Sequence, residues 1–301
     1  MNDAWKDTSL SPEERTRILV DQMTLEEKVS QMTYYSSALP RFGIYEYNWW
    51  NECLHGVGRA GAATMFPQPI GMACSFDTER LKEVAGIIAE EARIKHHAAD
   101  EMGDHAIYKG LTMWTPNINI FRDPRWGRGH ETYGEDPFLT SRLGVRFVEG
   151  MQGNDPDYLQ AAACAKHFAA YGAGESGRDY NTVDMSEQKF FETYLPPFKS
   201  AIDAGAFTVM AAFNDFCGVP CTENSYLLGE VLRKKLGFEG FVVSDATAIL
   251  ELVAHRSAAD LKEACEHAIN AGVDMDMNSR GYVNFLPELV KEGKVSESRL
   301  D

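Results

Sequence analysis

The chain has 301 residues, of which 44% are hydrophobic, and a formal net charge of −16. This length suits one large domain or two small ones with a sizeable core. The acidic balance argues against nucleic acid, whose phosphates demand a basic surface, and against an anionic membrane surface, so we expect a neutral small-molecule partner.

Two capping boxes open the chain. Ser11 and Thr24 each stand three residues before a glutamate, Glu14 and Glu27, and this spacing predicts helices around 11–22 and 24–33. A long helix is predicted from about 78 to 101, because its apolar residues recur at helical spacing. The first residues contain no apolar signal core, and no run is long enough to span a bilayer. We therefore expect a cytoplasmic protein, or the mature form of a secreted or periplasmic one.

Strands and helices alternate from residue 111 onward. Short apolar strands are predicted near 111–115, 161–165, 208–212, 241–244 and 273–277. Helical patterns lie between and after them, at 137–152, 186–204, 225–236, 258–271 and 282–293. This alternation predicts βαβ units and a parallel sheet. No low-complexity linker interrupts the pattern, so we expect one domain over residues 1–301.

Polar residues directly follow several of these strands, and they bear on how the sheet closes. A barrel gathers such residues around one mouth, whereas an open sheet spreads them along an edge. The length suits a barrel, and no GxGxxG motif follows the first strand. The predicted fold class is therefore α/β, a (β/α)8 TIM-type barrel in which strands can be irregular or missing. The residues concerned are Lys166, His167, Asn214, Asp245 and Asn278.

The segment GFVVSDAT, residues 240–247, places Asp245 at the tip of a buried apolar strand. A carboxylate at the C-terminal end of a strand in an α/β protein is usually a nucleophile or general base. The structural alternative is that Asp245 caps the following helix, since Asp is a favoured N-cap residue.

The region 117–137 is dense in Arg, Asp, Gly and Pro, which predicts an irregular loop held by Arg–carboxylate forks. These forks would pair Arg122, Arg125 and Arg128 with Glu131, Glu135 or Asp136. Most of these arginines are expected to be structural, with one donating to hydroxyl groups in a pocket. The six cysteines fit no metal-binding spacing, and we predict neither a metal nor a cofactor.

Five segments, in this order along the chain, resemble glycoside hydrolase family 3. They read NWWNECLHGVGRAG, TMFPQPIGMACSFD, NINIFRDPRWGRGHETYGEDP, CAKHFAAYGAGESGRDYNTVDMS and GFVVSDATAI. The first is similar to bacterial β-xylosidases and the fourth to bacterial broad-specificity β-glucosidases. The resemblance implies a barrel domain with a retaining exo-β-glycosidase site.

The resemblance also implies roles for particular residues. Asp245 aligns with the catalytic nucleophile, and Glu52 stands where many glucosidases have an Asp that holds the far hydroxyls of the sugar ring. The positive groups nearest Asp245 are expected to lower its pKa. The residues that the resemblance assigns to sugar binding are Glu52, Arg128, Lys166, His167 and Arg178.

Three departures from the family pattern matter. Phe213 replaces a Tyr that many members carry, so the nucleophile loses one hydrogen-bond donor. Ala246 follows Asp245 where a Trp often lies against the sugar. Beyond Asp301 the resemblance predicts a second α/β domain that in many members supplies the general acid. The loop 169–184 contains no histidine to replace that acid, and Glu175 and Asp179 are weak candidates, so we expect a second domain or polypeptide to complete the site.

These features lead to one main functional hypothesis, which is hydrolysis at the non-reducing end of β-glucosides through a covalent glycosyl-aspartate at Asp245. A second hypothesis is β-xylosidase or α-L-arabinosidase-like specificity, because Glu52 is one methylene longer than Asp and would crowd a hydroxymethyl group. A third is a sugar-binding barrel without turnover. A fourth is an unrelated lyase or aldolase that uses Lys166 as a Schiff base.

Overall fold

The structure is a computed structural model that describes residues 2–155 and 158–301. At its centre is a parallel sheet of four strands in the order β3, β4, β5, β8. Two antiparallel pairs, β1 with β2 and β6 with β7, accompany it. The strands are β1 Tyr35–Ser36, β2 Tyr47–Asn48, β3 Thr112–Met113, β4 Ala162–Phe168, β5 Thr208–Ala211, β6 Asp215–Phe216, β7 Val219–Pro220 and β8 Phe241–Val243.

Isolated bridges close the central sheet into a barrel. On one edge β8 forms a parallel bridge with Met275. The next residue, Asp276, forms a parallel bridge with Thr33. On the other edge β3 bridges Asn51 in parallel. Because β1 follows Thr33 and pairs with β2, which precedes Asn51, these contacts complete a ring. Within the described ranges the ring has seven segments. Neighbouring segments are parallel except for β1 and β2, which are antiparallel. The predicted α/β barrel with irregular strands is thus confirmed, and the predicted strand at 273–277 is reduced to two bridge residues.

Helices surround the sheet. The predicted helices at 186–204 and 225–236 contain π-helical turns, at Phe190–Tyr194 and Tyr226–Lys235. Short 3₁₀ turns occupy Asp3–Lys6, Pro40–Phe42, Gly129–Glu131, Tyr171–Ala173, Glu175–Gly177 and Cys221–Glu223. The α-helices are α1 Pro12–Val20, α2 Leu25–Gln31, α3 Pro69–Ala73, α4 Thr78–Glu101, α5 Pro137–Gln152, α6 Glu187–Lys189, α7 Pro196–Asp203, α8 Ala248–Ala254, α9 Leu261–Ala271, α10 Gly281–Lys291 and α11 Glu297–Leu300.

Both predicted capping boxes are present. The Ser11 hydroxyl accepts a hydrogen bond from the Glu14 N–H at 3.2 Å, and the Glu14 carboxylate accepts one from the Ser11 N–H at 3.0 Å. Thr24 and Glu27 repeat the arrangement at 3.2 and 2.8 Å. Each box satisfies two N–H groups that a helix start would otherwise leave without partners. Of the helices described, none is both long and apolar enough to cross a membrane.

The alternation of side chains along the strands divides the core into two layers. Outward-facing residues such as Ala165 and Val242 join the large cluster beneath the helices. The inward-facing residues form a separate cluster inside the barrel, made of Trp114, Cys164, Met210, Val243, Met275 and Met277. Side chains repeat with a period of two along a strand. Lys166, two residues after Cys164, and Asp245, two residues after Val243, therefore continue the inner face at the C-terminal mouth.

The contact between α4 and α5 generates a stability prediction. A Cβ atom added to Gly150 would overlap the Lys82 carbonyl oxygen and lie 2.7 Å from Ala85 Cβ. Gly150→Ala must separate the two helices, and we expect a loss of about 1–3 kcal/mol in the free energy of unfolding, measured in urea. The matched control is Gly229→Ala, where a Cβ meets nothing within 4 Å and helix propensity favours Ala. Equal stability of the two variants would contradict this packing.

Candidate active site

The predicted residues Asp245, Lys166, His167 and Arg128 converge at the mouth of the barrel. Asp245 and Lys166 are each 7% exposed, and His167 is fully buried. His167 Nε2 lies 3.5 Å from Asp245 Oδ2 and 3.1 Å from Arg128 Nη2. The pairing of β4 with β5 skips His167 between Lys166 and Phe168. Such a bulge re-aims a side chain, which accounts for two consecutive residues reaching one site.

The carboxylate of Asp245 is only half satisfied. Its Oδ1 accepts a hydrogen bond from the Ala246 N–H at 2.7 Å, whereas Oδ2 is buried and has no hydrogen-bond partner among the described residues. The capping alternative is wrong, because Thr247 occupies the N-cap position of α8 and no side chain caps that helix. Asp245 is therefore free to present Oδ2 to a ligand.

The expected lowering of the Asp245 pKa needs correction. Burial raises the pKa of Asp245 to about 7, and this effect outweighs the charges of Lys166 and Arg128, which lower it. His167 does not add a third positive charge, since burial and those same two charges hold the pKa of its imidazole well below the usual range. The Asp245 carboxyl can therefore hold a proton near neutral pH.

Arg128 is held in place by a carboxylate fork. Its Nε and Nη2 donate to Glu131 Oε1 and Oε2 at 2.8 and 2.9 Å, and Asn117 Nδ2 donates to the same carboxylate at 3.1 Å. The predicted pairing of Arg128 with Glu131 is confirmed. Arg122 lies 3.7 Å from Glu135, also as predicted, whereas Arg125 pairs with Asp123. A planar fork of this kind fixes the direction of the guanidinium.

Glu52 belongs to the same mouth. Its negative charge is among the influences that raise the pKa of Asp245, after burial. The Trp50 indole N–H donates to Glu52 Oε1 at 3.0 Å, which holds the longer side chain in one orientation. Glu52 was predicted from the sequence, whereas Trp50 was not identified as its anchor.

Phe213 is buried and takes part in an aromatic cluster rather than in hydrogen bonding. Its ring centroid lies 5.8 Å from that of Tyr171 and 4.2 Å from that of Tyr180. Tyr180 is 44% exposed, and Asp245 is among the charges that act on its hydroxyl. The structure thus places a partly exposed tyrosine at the rim, a residue that was not predicted from the sequence.

Not every predicted residue reaches this cluster. Arg178 is exposed, and the hydrogen bonds described for it are made by its backbone. Asn214 is buried and donates to the carbonyl oxygens of Ala169 and Asp215, which is a structural role. Glu175 and Asp179 are exposed, and Asp179 accepts a hydrogen bond from the Trp126 indole at 2.8 Å.

Asn119 is a buried site residue that was not predicted from the sequence. Its amide makes three contacts with His167, each at 2.9 Å. The available signal was the alternation Asn117-Ile-Asn119 after an inward-facing strand, which places both amides on one face. Across residues 2–155 and 158–301, no group of three or more His, Cys, Asp or Glu is arranged to hold a metal ion.

A buried carboxylate at a barrel mouth, surrounded by ammonium, guanidinium, imidazole and indole groups, is the class of site that suits a neutral polyhydroxyl ligand. Residues 19–301 match the model for the "Glycosyl hydrolase family 3 N terminal domain". The chain belongs to glycoside hydrolase family 3.

Relatives within the family have two kinds of name. The chain is 42% identical over 303 residues to a xylan 1,4-β-xylosidase of Xylanibacter ruminicola, covering 99% of this chain and 35% of the relative. It is 46% identical over 243 residues to a periplasmic β-glucosidase of Salmonella typhimurium, covering 80% of this chain and 30% of the relative. A solved GH3 exo-β-xylosidase in complex with a xylobiose aziridine probe superimposes with a TM-score of 0.89 at 32% identity, over 99% of this chain and 40% of that chain. The chain thus spans well under half the length of these relatives.

The buried Asp245 carboxyl generates a prediction about pH and stability. Folding raises its pKa from 3.8 to about 7. Between these values the folded protein retains a proton that the unfolded chain has released, so stability falls as pH rises through this window. Asp245→Asn has no carboxyl group to ionise, so its stability does not fall with pH in this way. We expect its free energy of unfolding to match the parent below the lower pKa and to exceed it above the upper one, by about 4 kcal/mol. Urea unfolding across this pH range measures the gap, and a gap that does not vary with pH would count against the assignment.

Proposed function

We propose that this chain is the barrel part of a retaining exo-β-glycosidase with Asp245 as its nucleophile. The observation that carries the proposal is the Oδ2 of a buried carboxylate, which has no hydrogen-bond partner among the described residues and lies 3.5 Å from His167 Nε2. Lys166, His167 and Arg128 supply polar contacts for hydroxyls of one terminal sugar. Attack at a chain end is proposed because a similar solved structure is a GH3 exo-β-xylosidase.

The proposed reaction has two steps. In the first, Asp245 Oδ2 bonds to the anomeric carbon while the glycosidic bond breaks, and the leaving oxygen takes a proton from an acid. In the second, water gives a proton to the deprotonated acid while its oxygen attacks the anomeric carbon, which releases the Asp245 carboxylate and restores the original configuration. Neither Glu175 nor Asp179 points to the carboxylate in the described contacts. We therefore assign the acid to a second domain or polypeptide that approaches the mouth.

For the terminal sugar we propose a β-xyloside. Glu52 is one methylene longer than Asp, and the Trp50 indole holds it in place, so the added length occupies space that the hydroxymethyl group of a hexose would need. Xylosidase relatives that align with nearly the whole chain support this choice. The second candidate is the β-glucoside predicted from the sequence, which the glucosidase relative at 46% identity favours. That relative is named periplasmic, and an exported location is proposed here on the same basis.

An activated substrate tests the nucleophile without relying on the acid. A 2,4-dinitrophenyl β-glycoside needs little help from an acid, because its leaving group is already stable as an anion. We expect a burst of phenolate and a covalent adduct on Asp245, located by mass spectrometry of peptides. Asp245→Asn is expected to abolish both. Binding of the glycoside with no burst would favour a sugar-binding barrel without turnover.

A second experiment tests the role of Glu52 in specificity. We expect Glu52→Asp to shift the ratio of kcat/KM for aryl xyloside over aryl glucoside toward glucose by about 10- to 200-fold, the usual effect of one methylene in a pocket. The matched control is Glu149→Asp, on the outer face of α5, where Glu149 pairs with Lys82 and Arg146. The control should leave the ratio unchanged. An unchanged ratio in Glu52→Asp would remove the basis for a pentose preference.

A further inference from the structure

The contacts of His167 determine which of its ring nitrogens carries the hydrogen. The Asn119 amide is oriented by the backbone of His167, because its Oδ1 accepts from the His167 N–H and its Nδ2 donates to the His167 carbonyl oxygen, both at 2.9 Å. The Asn119 oxygen therefore faces His167 Nδ1, also at 2.9 Å. An amide oxygen only accepts hydrogen bonds, so Nδ1 must be the protonated nitrogen.

The second ring nitrogen supports the same assignment independently. Arg128 Nη2 lies 3.1 Å from His167 Nε2, and a guanidinium only donates hydrogen bonds. Nε2 must therefore present a lone pair. Both contacts agree on a neutral imidazole with its hydrogen on Nδ1. Nε2 therefore accepts a hydrogen bond rather than donating one.

The same lone pair faces the proposed nucleophile. His167 Nε2 lies 3.5 Å from Asp245 Oδ2, and Oδ2 has no hydrogen-bond partner in the described part of the chain. Two acceptors facing each other in a buried site are unfavourable. A proton on Oδ2 removes the repulsion between the two lone pairs, since the resulting O–H can share the Nε2 lone pair with the Arg128 donor.

We propose that Asn119 is a positioning residue that holds His167 as a hydrogen-bond acceptor, so that Asp245 keeps a proton until a ligand binds. The raised pKa of Asp245 is consistent with this arrangement. On sugar binding, a hydroxyl can donate to Nε2 in place of Asp245, which then releases its proton to solvent and ionises beside Lys166 and Arg128. Only this last consequence rests on the proposed glycosidase function. The charged and titratable groups around the pair are Glu52, Arg128, Glu131, Lys166, Tyr171, Asp179 and Tyr180.

The test reads the imidazole directly by NMR. Protein labelled with ¹⁵N-histidine reports the protonation of both ring nitrogens in long-range ¹H–¹⁵N spectra, and His167→Gln assigns the signal. For the parent protein we expect hydrogen on Nδ1 at every pH measured. The ¹⁵N chemical shift of Nε2 should change with pH around the Asp245 pKa of about 7. Asp245→Asn should abolish that titration. Hydrogen on Nε2 in the parent protein, or an imidazolium near neutral pH, would overturn the proposal.

The isosteric variant Asn119→Asp keeps an acceptor at Nδ1 and adds a negative charge beside it. Its carboxylate favours an imidazolium, which then donates from Nε2 to Asp245 and lowers the Asp245 pKa by about 1–3 units. The acid limb of kcat/KM for an activated aryl glycoside is expected to move to lower pH by the same amount. The control Asn224→Asp changes a buried asparagine that caps Leu227 away from the site and should move neither readout.

The two readouts separate failure of this proposal from failure of the proposed function. If no glycoside is hydrolysed but the Nδ1 hydrogen and the Asp245-dependent titration are present, the tautomer assignment stands and the glycosidase assignment falls. If hydrolysis occurs and Asn119→Asp leaves both the spectrum and the acid limb in place, Asn119 has no positioning role. The spectra of the parent protein and Asp245→Asn decide the tautomer even where Asn119→Asp does not fold.

Discussion

The closed ring of strands is the constraint on which the other features of this molecule depend. Once the ring closes, every strand has one face toward the helices and one toward the barrel interior, and each side chain is committed to one of them. Met210 and Val243 fill the interior. The next inward positions at the mouth hold the polar residues Lys166 and Asp245, and each keeps 7% of its surface exposed.

That geometry explains the electrostatics of the site. A carboxyl enclosed by barrel walls loses most of its hydration, and the nearby positive charges compensate only in part. Asp245 is therefore poised between its two forms rather than permanently ionised. A general base or nucleophile that titrates near the working pH responds strongly to whatever enters the pocket. The neutral state of His167 belongs to the same balance, because burial and the charges of Arg128 and Lys166 lower the pKa of its imidazole.

Sequence patterns predicted the elements whose causes are local. The capping boxes at Ser11 and Thr24 and the helix at Thr78–Glu101 follow from residues within one or two turns. The strand tip at Asp245 follows from an apolar run that ends in a carboxylate. The closure through Thr33 and Asn51 was not predictable in this way, because single bridges leave no periodic pattern. The π-helical turns also lack such a pattern, so their segments were predicted as plain helices.

The same division applies within the site. Asp245, Lys166 and His167 were predicted because each follows a strand predicted from the sequence and matches a family motif. Asn119 was not predicted from the sequence because its hydrogen-bond partner, His167, lies 48 residues away along the chain. Its loop supplies an amide that satisfies the backbone of His167 at both its N–H and its carbonyl, as an adjacent strand would. A residue with that backbone role can also set the polarity of the ring, since one amide oxygen serves both the main chain and Nδ1. In this barrel, therefore, the groups that complete the sheet hydrogen bonding also determine the protonation of the site.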